Sequence, residues 1–239
     1  MRFSFLGTIV DERRSASRLE GLEERRVAMS IAVEKPTVDA VRATRKKFDE
    51  ENKIIEDALE GLFEHYPKNV RTSDVLLKVL TLNALYSTQI PLYGDRIPTV
   101  WQVVDHIVQL GIDPALDLGS PNLVFNIAKI EIRDKVHFNY SFATKYCNWH
   151  RPEFYPIYDS RVDEYLWHLA NQELIGHFDR QELKIYPRLK EIVCEFRDRY
   201  GLGDFNFKQI DKFLYYEGGK LLSAKQKGNE LEVSTEPQI

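Results

Sequence analysis

The chain reads Tyr-Pro-Ile-Tyr-Asp-Ser-Arg-Val at residues 155–162, where a proline-marked loop passes into a helix. The residues at the start of that helix are apolar at helical spacing: Val162, Tyr165, Leu166 and Leu169. Because proline disfavours helix immediately before it and aspartate is a preferred N-cap residue, Asp159 is predicted to start this helix. First-turn N–H groups and the helix dipole favour its ionised carboxylate. Asp159 is then either a cap alone or a fixed anion available for chemistry.

The composition excludes several classes of protein. The 239 residues are 43% hydrophobic and 29% charged, as in ordinary soluble globular proteins. No apolar run approaches the roughly 20 residues that span a bilayer, and no secretion signal is recognised, so we expect an intracellular, cytoplasmic protein without a membrane partner. Two cysteines, Cys147 and Cys194, are too few for a disulfide framework or a cysteine-held iron–sulfur cluster. The net charge of −4 leaves nucleic acid open as a partner, since a basic face can coexist with an acidic total.

Apolar periodicity predicts a mainly α fold. We expect an N-terminal extension over residues 1–35 that can hold short strands, a helical domain over residues 36–223, and a disordered polar tail over residues 224–239. The helix over residues 72–85 is apolar nearly all round, which predicts a central position. Residues 133–140 are expected to be irregular, with Ser141 capping the next helix. The predicted helices cover residues 37–66 with a break near 49–52, 72–85, 99–110, 122–132, 142–150, 159–169, 187–200 and 207–222.

Two short motifs, in this order along the chain, resemble the helix-hairpin-helix DNA glycosylase superfamily. The first is Leu85-Tyr86-Ser87-Thr88-Gln89, and the second is Ile157-Tyr158-Asp159-Ser160-Arg161-Val162. The resemblance covers residues 72–222 and implies a two-lobed helical bundle, with the active cleft between the helices of residues 72–110 and the region 141–169. It implies a monomer without a cofactor that acts on double-stranded DNA. The implied activity is excision of a damaged or modified base that is first flipped out of the duplex.

The resemblance also assigns roles to individual residues. Asp159 would stabilise the positive charge that develops on the sugar, or orient a water, as the glycosidic bond breaks. The loop that carries Ser87, Gln89 and Tyr93 would contact the DNA and fill the gap that the flipped base leaves. Further DNA contacts are implied for Asn139, Tyr140, Ser141 and Thr144, and a base pocket for Trp149, His150 and Tyr158. Aromatic residues of a helical domain serve equally as core, which is the alternative for Trp149 and Tyr158.

A lysine is expected in the members of this superfamily that also cleave the DNA strand. This lysine attacks the sugar and lies about 18 to 20 residues before the aspartate. In this chain the same interval reaches Asn, Tyr and Ser at residues 139–141, none of which is a lysine. Lys145, 14 residues before Asp159, is the candidate nucleophile. A phosphate contact, or a partner for a nearby acid, is the alternative role for Lys145.

The hairpin that the resemblance implies at residues 135–140 departs from the family signature. That signature contains glycines, which let backbone N–H groups approach a DNA phosphate. Residues 135–140 read Lys-Val-His-Phe-Asn-Tyr, without a glycine. Either side chains hold the phosphate, or the chain is a catalytically inactive helical module that binds DNA or protein.

A metal-dependent phosphohydrolase is a rival interpretation, based on the helical pair Asp105-His106. The usual helical metal pair of that class reads His-Asp, whereas the order here is reversed and the neighbouring residues are apolar. We therefore predict no metal site.

Overall fold

The computed structural model describes residue 33 and residues 35–233, with side chains up to residue 226. That part of the chain is mainly helical and contains one two-stranded antiparallel sheet, so the predicted helical class is confirmed. The short strands expected in the N-terminal extension fall within residues 1–32 and residue 34, outside the described residues, apart from Val33, which is in no strand. No helix in the described part combines the length and apolar character that crossing a bilayer requires.

The elements are numbered here in chain order. The helices are α1 (Val38–Glu51), α2 (Lys53–His65), α3 (Thr72–Tyr86), α4 (Val100–Leu110), α5 (Asp113–Asp117), α6 (Asn122–Ala128), α7 (Tyr140–His150), α8 (Ser160–Asn171), α9 (Tyr186–Arg199) and α10 (Phe207–Val233). The strands are β1 (Lys129–Ile132) and β2 (Lys135–Phe138), and a short 3-10 helix covers Arg180–Lys184. The break expected near residues 49–52 is confirmed, because Asn52 separates α1 from α2 and its side chain binds the Phe48 carbonyl at 2.9 Å.

Residues 129–138 form a β-hairpin, which corrects two predictions. The helix predicted over residues 122–132 is α6, which ends at Ala128. Part of the segment expected to be irregular is strand β2. Lys129 pairs with Phe138 and Ile132 pairs with Lys135. Arg133 and Asp134 both have positive φ, 49° and 61°, as a two-residue hairpin turn of type I′ requires. The alternating polar and apolar residues of both strands suit this period-two pattern better than a helix.

The helix after the hairpin begins two residues earlier than predicted. Asn139 precedes α7, and Ser141 lies within its first turn. Ser141 is therefore not a cap. Its hydroxyl instead accepts a hydrogen bond from Lys145 Nζ at 2.6 Å, one helical turn further on.

The last helix extends into the segment expected to be disordered, so the prediction is wrong for residues 224–233. α10 continues to Val233, and Lys225 Nζ lies 2.5 Å from Glu164 Oε1 of α8. The polarity of this segment suggested disorder, but its Ala, Lys, Gln, Glu and Leu residues are also strong helix formers.

The core lies around α7 and α8, not around α3. Residues 142–150 of α7 are all buried, and α8 is buried from Val162 to Ala170. α3 buries one face through Val75, Val79 and Leu82, while Leu77 and Leu85 are each 42% exposed. The prediction of a central α3 is wrong because exposed apolar residues occur on ordinary surface helices.

Candidate active site

Asp159 caps α8, as its sequence context predicts. Its Oδ1 atom accepts hydrogen bonds from the backbone N–H groups of Arg161 at 3.0 Å and Val162 at 2.9 Å. The backbone of Asp159 is extended, with φ −149° and ψ 178°, as expected of an N-cap residue. These two donors and the helix dipole fix the position of the carboxylate and stabilise its charge. Its second oxygen, Oδ2, remains for another partner.

That partner is Lys145 of α7. Lys145 Nζ lies 3.9 Å from Asp159 Oδ2, and it donates hydrogen bonds to Ser141 Oγ at 2.6 Å and to the Tyr158 carbonyl at 3.4 Å. The lysine side chain is only 3% exposed. Burial lowers the pKa of its amine, while attraction to Asp159 and Asp211 acts in the opposite direction. Lys145 precedes Asp159 by 14 residues, fewer than the roughly 18 to 20 of the family. The two side chains can still meet because only residues 151–159 connect α7 to α8.

A cleft of about 260 Å³ opens at Asp159. The end of α3 contributes Leu85 and Tyr86, and the start of α8 contributes Arg161, as the predicted location requires. The rest of the wall comes from elements that sequence reasoning missed, namely the junction of α1 with α2 and the inner face of α10. Four aromatic side chains line the cleft: Phe48, Tyr86, Tyr215 and Tyr216.

Tyr86 connects the cleft to the buried α7. Lys145 Nζ lies 5.5 Å from the centre of its ring, and its hydroxyl accepts a hydrogen bond from Trp149 Nε1 at 2.9 Å. Trp149 is 6% exposed and packs with its ring 3.5 Å from Lys208 Nζ. Trp149, a predicted base-pocket residue, therefore supports the wall of the cleft from behind and does not line it.

Asp211 of α10 is an acidic residue of this cleft that sequence reasoning missed. Its Oδ1 atom is buried and has no hydrogen-bond partner among the described residues. Burial raises the pKa of Asp211 well above the ordinary range, and the neighbouring Asp159 carboxylate adds to this effect. A signal was present in the sequence, since Asp211 follows Phe207 by four residues and precedes Leu214 by three, and so falls on the apolar face of its helix.

Two other residues predicted for the base pocket lie elsewhere. His150 is 7% exposed, and its Nε2 atom lies 3.1 Å from Asn69 Oδ1 and 3.3 Å from Lys78 Nζ, in an interior polar cluster. The Tyr158 hydroxyl donates to Asp163 Oδ2 at 3.0 Å, and its ring packs 4.9 Å from the ring of Tyr140. Neither side chain lines the Asp159 cleft, because neighbouring residues on one helix or loop point in different directions.

The loop predicted to contact DNA is exposed and firmly attached. Ser87 and Gln89 both have positive φ, 50° and 60°, and Tyr93 is 82% exposed. Asn83 of α3 holds the loop, because its side chain donates to the Ile90 carbonyl at 2.7 Å and accepts from the Ile90 N–H at 2.9 Å. Thr88 Oγ1 adds a hydrogen bond of 2.8 Å to the same amide. The loop follows directly on Leu85 and Tyr86, which line the cleft.

The hairpin residues predicted to hold a phosphate are engaged within the protein. The Tyr140 hydroxyl donates to the Leu183 carbonyl at 3.2 Å, and Ser141 accepts from Lys145. Thr144 has no exposed surface, donates to the Ser141 carbonyl at 2.9 Å and accepts from the Tyr158 N–H at 3.1 Å. Asn139 is half-buried, and its Nδ2 atom has no partner among the described residues. Thr144 is therefore no phosphate contact, since α7 is buried on all sides.

The Asp105-His106 pair lies on α4. His106 Nε2 lies 2.8 Å from the Asn126 carbonyl of α6, so its ring is engaged in a contact between helices. In the described part of the chain, no three His, Cys, Asp or Glu side chains are grouped as metal ligands would be.

Comparison with known proteins gives two matches and no function. The family model HI_0787_N, described as an N-terminal domain, matches residues 38–154, from α1 through Lys145 but short of Asp159. A Haemophilus influenzae protein described as uncharacterized is 33% identical over 130 residues, which are 54% of this chain and 62% of that protein. The chain thus spans less than two thirds of the length of this relative. No solved structure matches the chain.

Proposed function

We propose that this protein is a DNA glycosylase that hydrolyses the N-glycosidic bond of a flipped-out damaged or modified base. The observation that carries the proposal is Asp159, which lines an aromatic cleft, with the buried Lys145 Nζ 3.9 Å from its Oδ2 atom. The order of the two motifs in the sequence provided the hypothesis, and the geometry of this pair supports it independently. The proposed partner is double-stranded DNA, bound by a monomer without a cofactor in the cytoplasm.

The chemistry requires a fixed negative charge beside the sugar. As the bond to the base breaks, positive charge develops at C1′ and on the ring oxygen. Asp159 meets this requirement, because two backbone N–H groups hold its Oδ1 atom and leave Oδ2 unoccupied by a backbone donor. A preorganised charge of this kind needs no rearrangement when the reaction occurs.

The base requires a pocket that accepts a flat aromatic ring. Phe48 and Tyr216 lie on opposite helices that border the cleft, and Arg161 packs its guanidinium 4.0 Å from the centre of the Tyr215 ring. Base–aromatic stacking tolerates different bases, since every base has a π face. These aromatic side chains take the place of His150 and Tyr158 in the proposed base pocket.

Lys145 gives the proposed enzyme a second activity, cleavage of the DNA strand at an abasic site. Its buried amine has a lowered pKa, which increases the neutral fraction that can act as a nucleophile. At the abasic site the neutral amine would add to C1′ of the opened sugar, and the C1′ oxygen leaves as water with the two amine protons, which gives an imine. Borohydride reduces this imine to a stable adduct. Without borohydride, loss of a C2′ proton and of the C3′ phosphate breaks the strand.

Asp159→Asn tests the assignment directly. Its amide oxygen can still cap α8, but the charge is lost, so base release should fall by about 100-fold or more with little unfolding. The assay uses duplexes with oxidised, deaminated or alkylated bases. Asp179→Asn is the matched control, because Asp179 caps the 3-10 helix by accepting from Gln181 N–H at 3.1 Å, away from the cleft. Undiminished base release by Asp159→Asn contradicts the proposed role.

Borohydride trapping on an abasic duplex tests Lys145 separately. The wild-type protein should form a covalent adduct, and Lys145→Met should form none. An adduct that persists in Lys145→Met assigns the nucleophile to another amine. Exposed Lys46→Met is the control, since Lys46 is 78% exposed and its ion pair among the described residues is with Glu50 on its own helix.

A catalytically inactive DNA- or protein-binding module is the alternative, and the hairpin favours it. Residues 129–138 contain no glycine, and Arg133 at the tip is paired with Asp95 at 2.8 Å. Duplex binding measured over a range of salt concentrations separates the possibilities, because neutralised phosphates give a steep negative dependence on salt. Salt-sensitive binding without base release supports the module, and no binding at all removes both DNA functions.

A further inference from the structure

Asp211 is a second aspartate of the Asp159 cleft. It belongs to α10 and lines the same cleft as Asp159, although 52 residues separate the two in sequence. One oxygen of Asp211 is buried without a hydrogen-bond partner among the described residues, whereas Asp159 is held by two backbone donors. The two aspartates that border this cleft thus have contrasting environments.

We propose that Asp211 is the proton donor of the site, which protonates the departing base while Asp159 stabilises the sugar. This inference rests on the proposed glycosylase function and adds a catalytic residue to it. Pairs of carboxyl groups divide the work in this way when one stays ionised and the other stays protonated.

The electrostatic environment of Asp211 supports a neutral carboxyl group. Burial is the largest cause that raises its pKa, followed by repulsion from Asp159, and Glu56 adds a smaller effect. Lys145 and Lys212 act in the opposite direction. Tyr86 of α3 and Tyr215 of α10 also interact with Asp211, and the Asp211 charge contributes to their raised pKa values. Burial and the neighbouring carboxylates outweigh the two lysines.

The proton balance of the step is simple. The bond from C1′ to the base nitrogen breaks, and its electron pair leaves with the base. An unprotonated base would depart as an anion, so the Asp211 proton moves to the base and Asp211 becomes a carboxylate. A water molecule then bonds to C1′ of the sugar cation that Asp159 stabilises, and the proton that this water releases restores the Asp211 carboxyl group.

This role predicts the class of substrate that depends on Asp211. An uncharged base is a poor leaving group and gains from a proton donor, whereas a base that N-alkylation has made cationic departs as a neutral molecule without one. Asp211 should therefore matter for uncharged damaged bases alone. General acids of this kind contribute typically 10²–10⁴-fold to the rate.

Asp211→Asn tests this role against three duplexes. Release of an uncharged damaged base should fall by about 100-fold or more, while release of 7-methylguanine and trapping on an abasic duplex remain nearly unchanged. Asp211→Glu, which keeps a carboxyl group, should retain part of the activity. The wild-type rate on the uncharged base should fall as pH rises and Asp211 loses its proton, and this fall should be absent from the residual activity of Asp211→Asn.

Each outcome decides the role. Equal losses on all three duplexes, or no loss on the uncharged base, overturn the assignment of Asp211 while the glycosylase function stands. Absence of base release from every duplex by wild-type protein removes the glycosylase function and the role together.

The protonation of Asp211 can also be measured without substrate, from the ¹³C resonances of the aspartate carboxyl groups. The wild-type protein should show the resonance of a carboxyl group that is still protonated at neutral pH, and Asp211→Asn should lack it. An Asp211 that is ionised at neutral pH overturns the role regardless of activity.

Discussion

A single buried lysine, Lys78 of α3, organises the polar interior next to α7. It has no exposed surface, and its Nζ atom donates to the carbonyls of Tyr66 and Lys68, each at 3.0 Å, and to Asn69 Oδ1 at 2.6 Å. The Tyr146 hydroxyl also donates to Asn69 Oδ1, at 2.5 Å. Lys78 thus joins the loop after α2 to the core, which explains a cation on the buried face of a helix.

The titration of Lys78 should appear in the stability of the protein. Burial lowers its pKa from 10.5 to about 8, so the unfolded chain holds more protons than the folded one between these values. The free energy of unfolding contributed by this group therefore increases as pH rises from 8 towards 10.5, and it is constant below that window. Urea denaturation over this pH range measures the slope.

Lys78→Met should remove that slope and also destabilise the protein at neutral pH. The carbonyls of Tyr66 and Lys68 lose this donor, whereas Asn69 Oδ1 keeps the Tyr146 hydroxyl, and an unsatisfied buried acceptor costs about 1–3 kcal/mol. Lys46→Met serves as the control, because Lys46 is largely exposed and should leave both the slope and the stability unchanged. An identical pH dependence in wild type and Lys78→Met would contradict this assignment.

At the scale of elements, the contact of α8 with α10 positions Asp159. The two helices approach so closely at Gly218 that a Cβ atom there would lie 2.0 Å from the Arg161 carbonyl oxygen. Arg161 is in the first turn of α8, and its N–H group binds Asp159. The absence of a side chain at Gly218 therefore permits the geometry of the cleft.

Gly218→Ala should destabilise the protein although alanine is the better helix former. The clash is with backbone, which cannot rotate away, so the helices must separate at a cost of about 1–3 kcal/mol. Base release should fall as well, since the start of α8 moves. Gly219→Ala is the matched control, because its Cβ atom would meet only the Arg161 side chain, at 3.3 Å. Thermal denaturation of the two variants measures the difference, and equal stabilities would refute the close contact.

At the scale of the whole molecule, ion pairs attach the α1–α2 pair to α10 and so complete the cleft. Lys212 Nζ lies 2.7 Å from Glu56 Oε2 and also binds Asp49, while Lys208 Nζ lies 3.1 Å from the same Glu56 oxygen. Lys212 is 8% exposed and Glu56 is likewise 8% exposed, so these charges are largely removed from water. The N-terminal helices thus form a wall of the site through charged contacts.

Lys212→Met should weaken this attachment strongly. Removing one partner of a buried pair leaves the other charge uncompensated, at a cost of about 3–5 kcal/mol, here reduced because Asp49 is partly exposed and Lys208 remains. Lys53→Met removes an exposed pair with Asp57 at 2.7 Å on the same pair of helices and should change stability little. Hydrogen exchange should report faster opening of α1 and α2 in Lys212→Met alone. Equal protection in both variants would show that the ion pairs do not hold the wall.

The sequence by itself determined the local features of this protein. The helical class and the cap at Asp159 follow from residues within a few positions of each other, because helix periodicity and capping involve bonds over three or four residues. Lys145 was a candidate through the family resemblance instead, because it is a lysine 14 residues before Asp159, although the family interval is about 18 to 20. The β-hairpin was missed because a two-residue turn without glycine gives a weak local signal.

Only the tertiary structure decided which residues share the cleft. Asp211, Tyr215 and Tyr216 reach Asp159 because α10 packs along α8, and Phe48 reaches it because Lys208 and Lys212 bind the α1–α2 junction. The same packing directs His150 and Tyr158 away, towards Lys78 and Asp163. Such contacts depend on the close fit of surfaces distant in sequence, whereas the cap at Asp159 depends on its own helix alone.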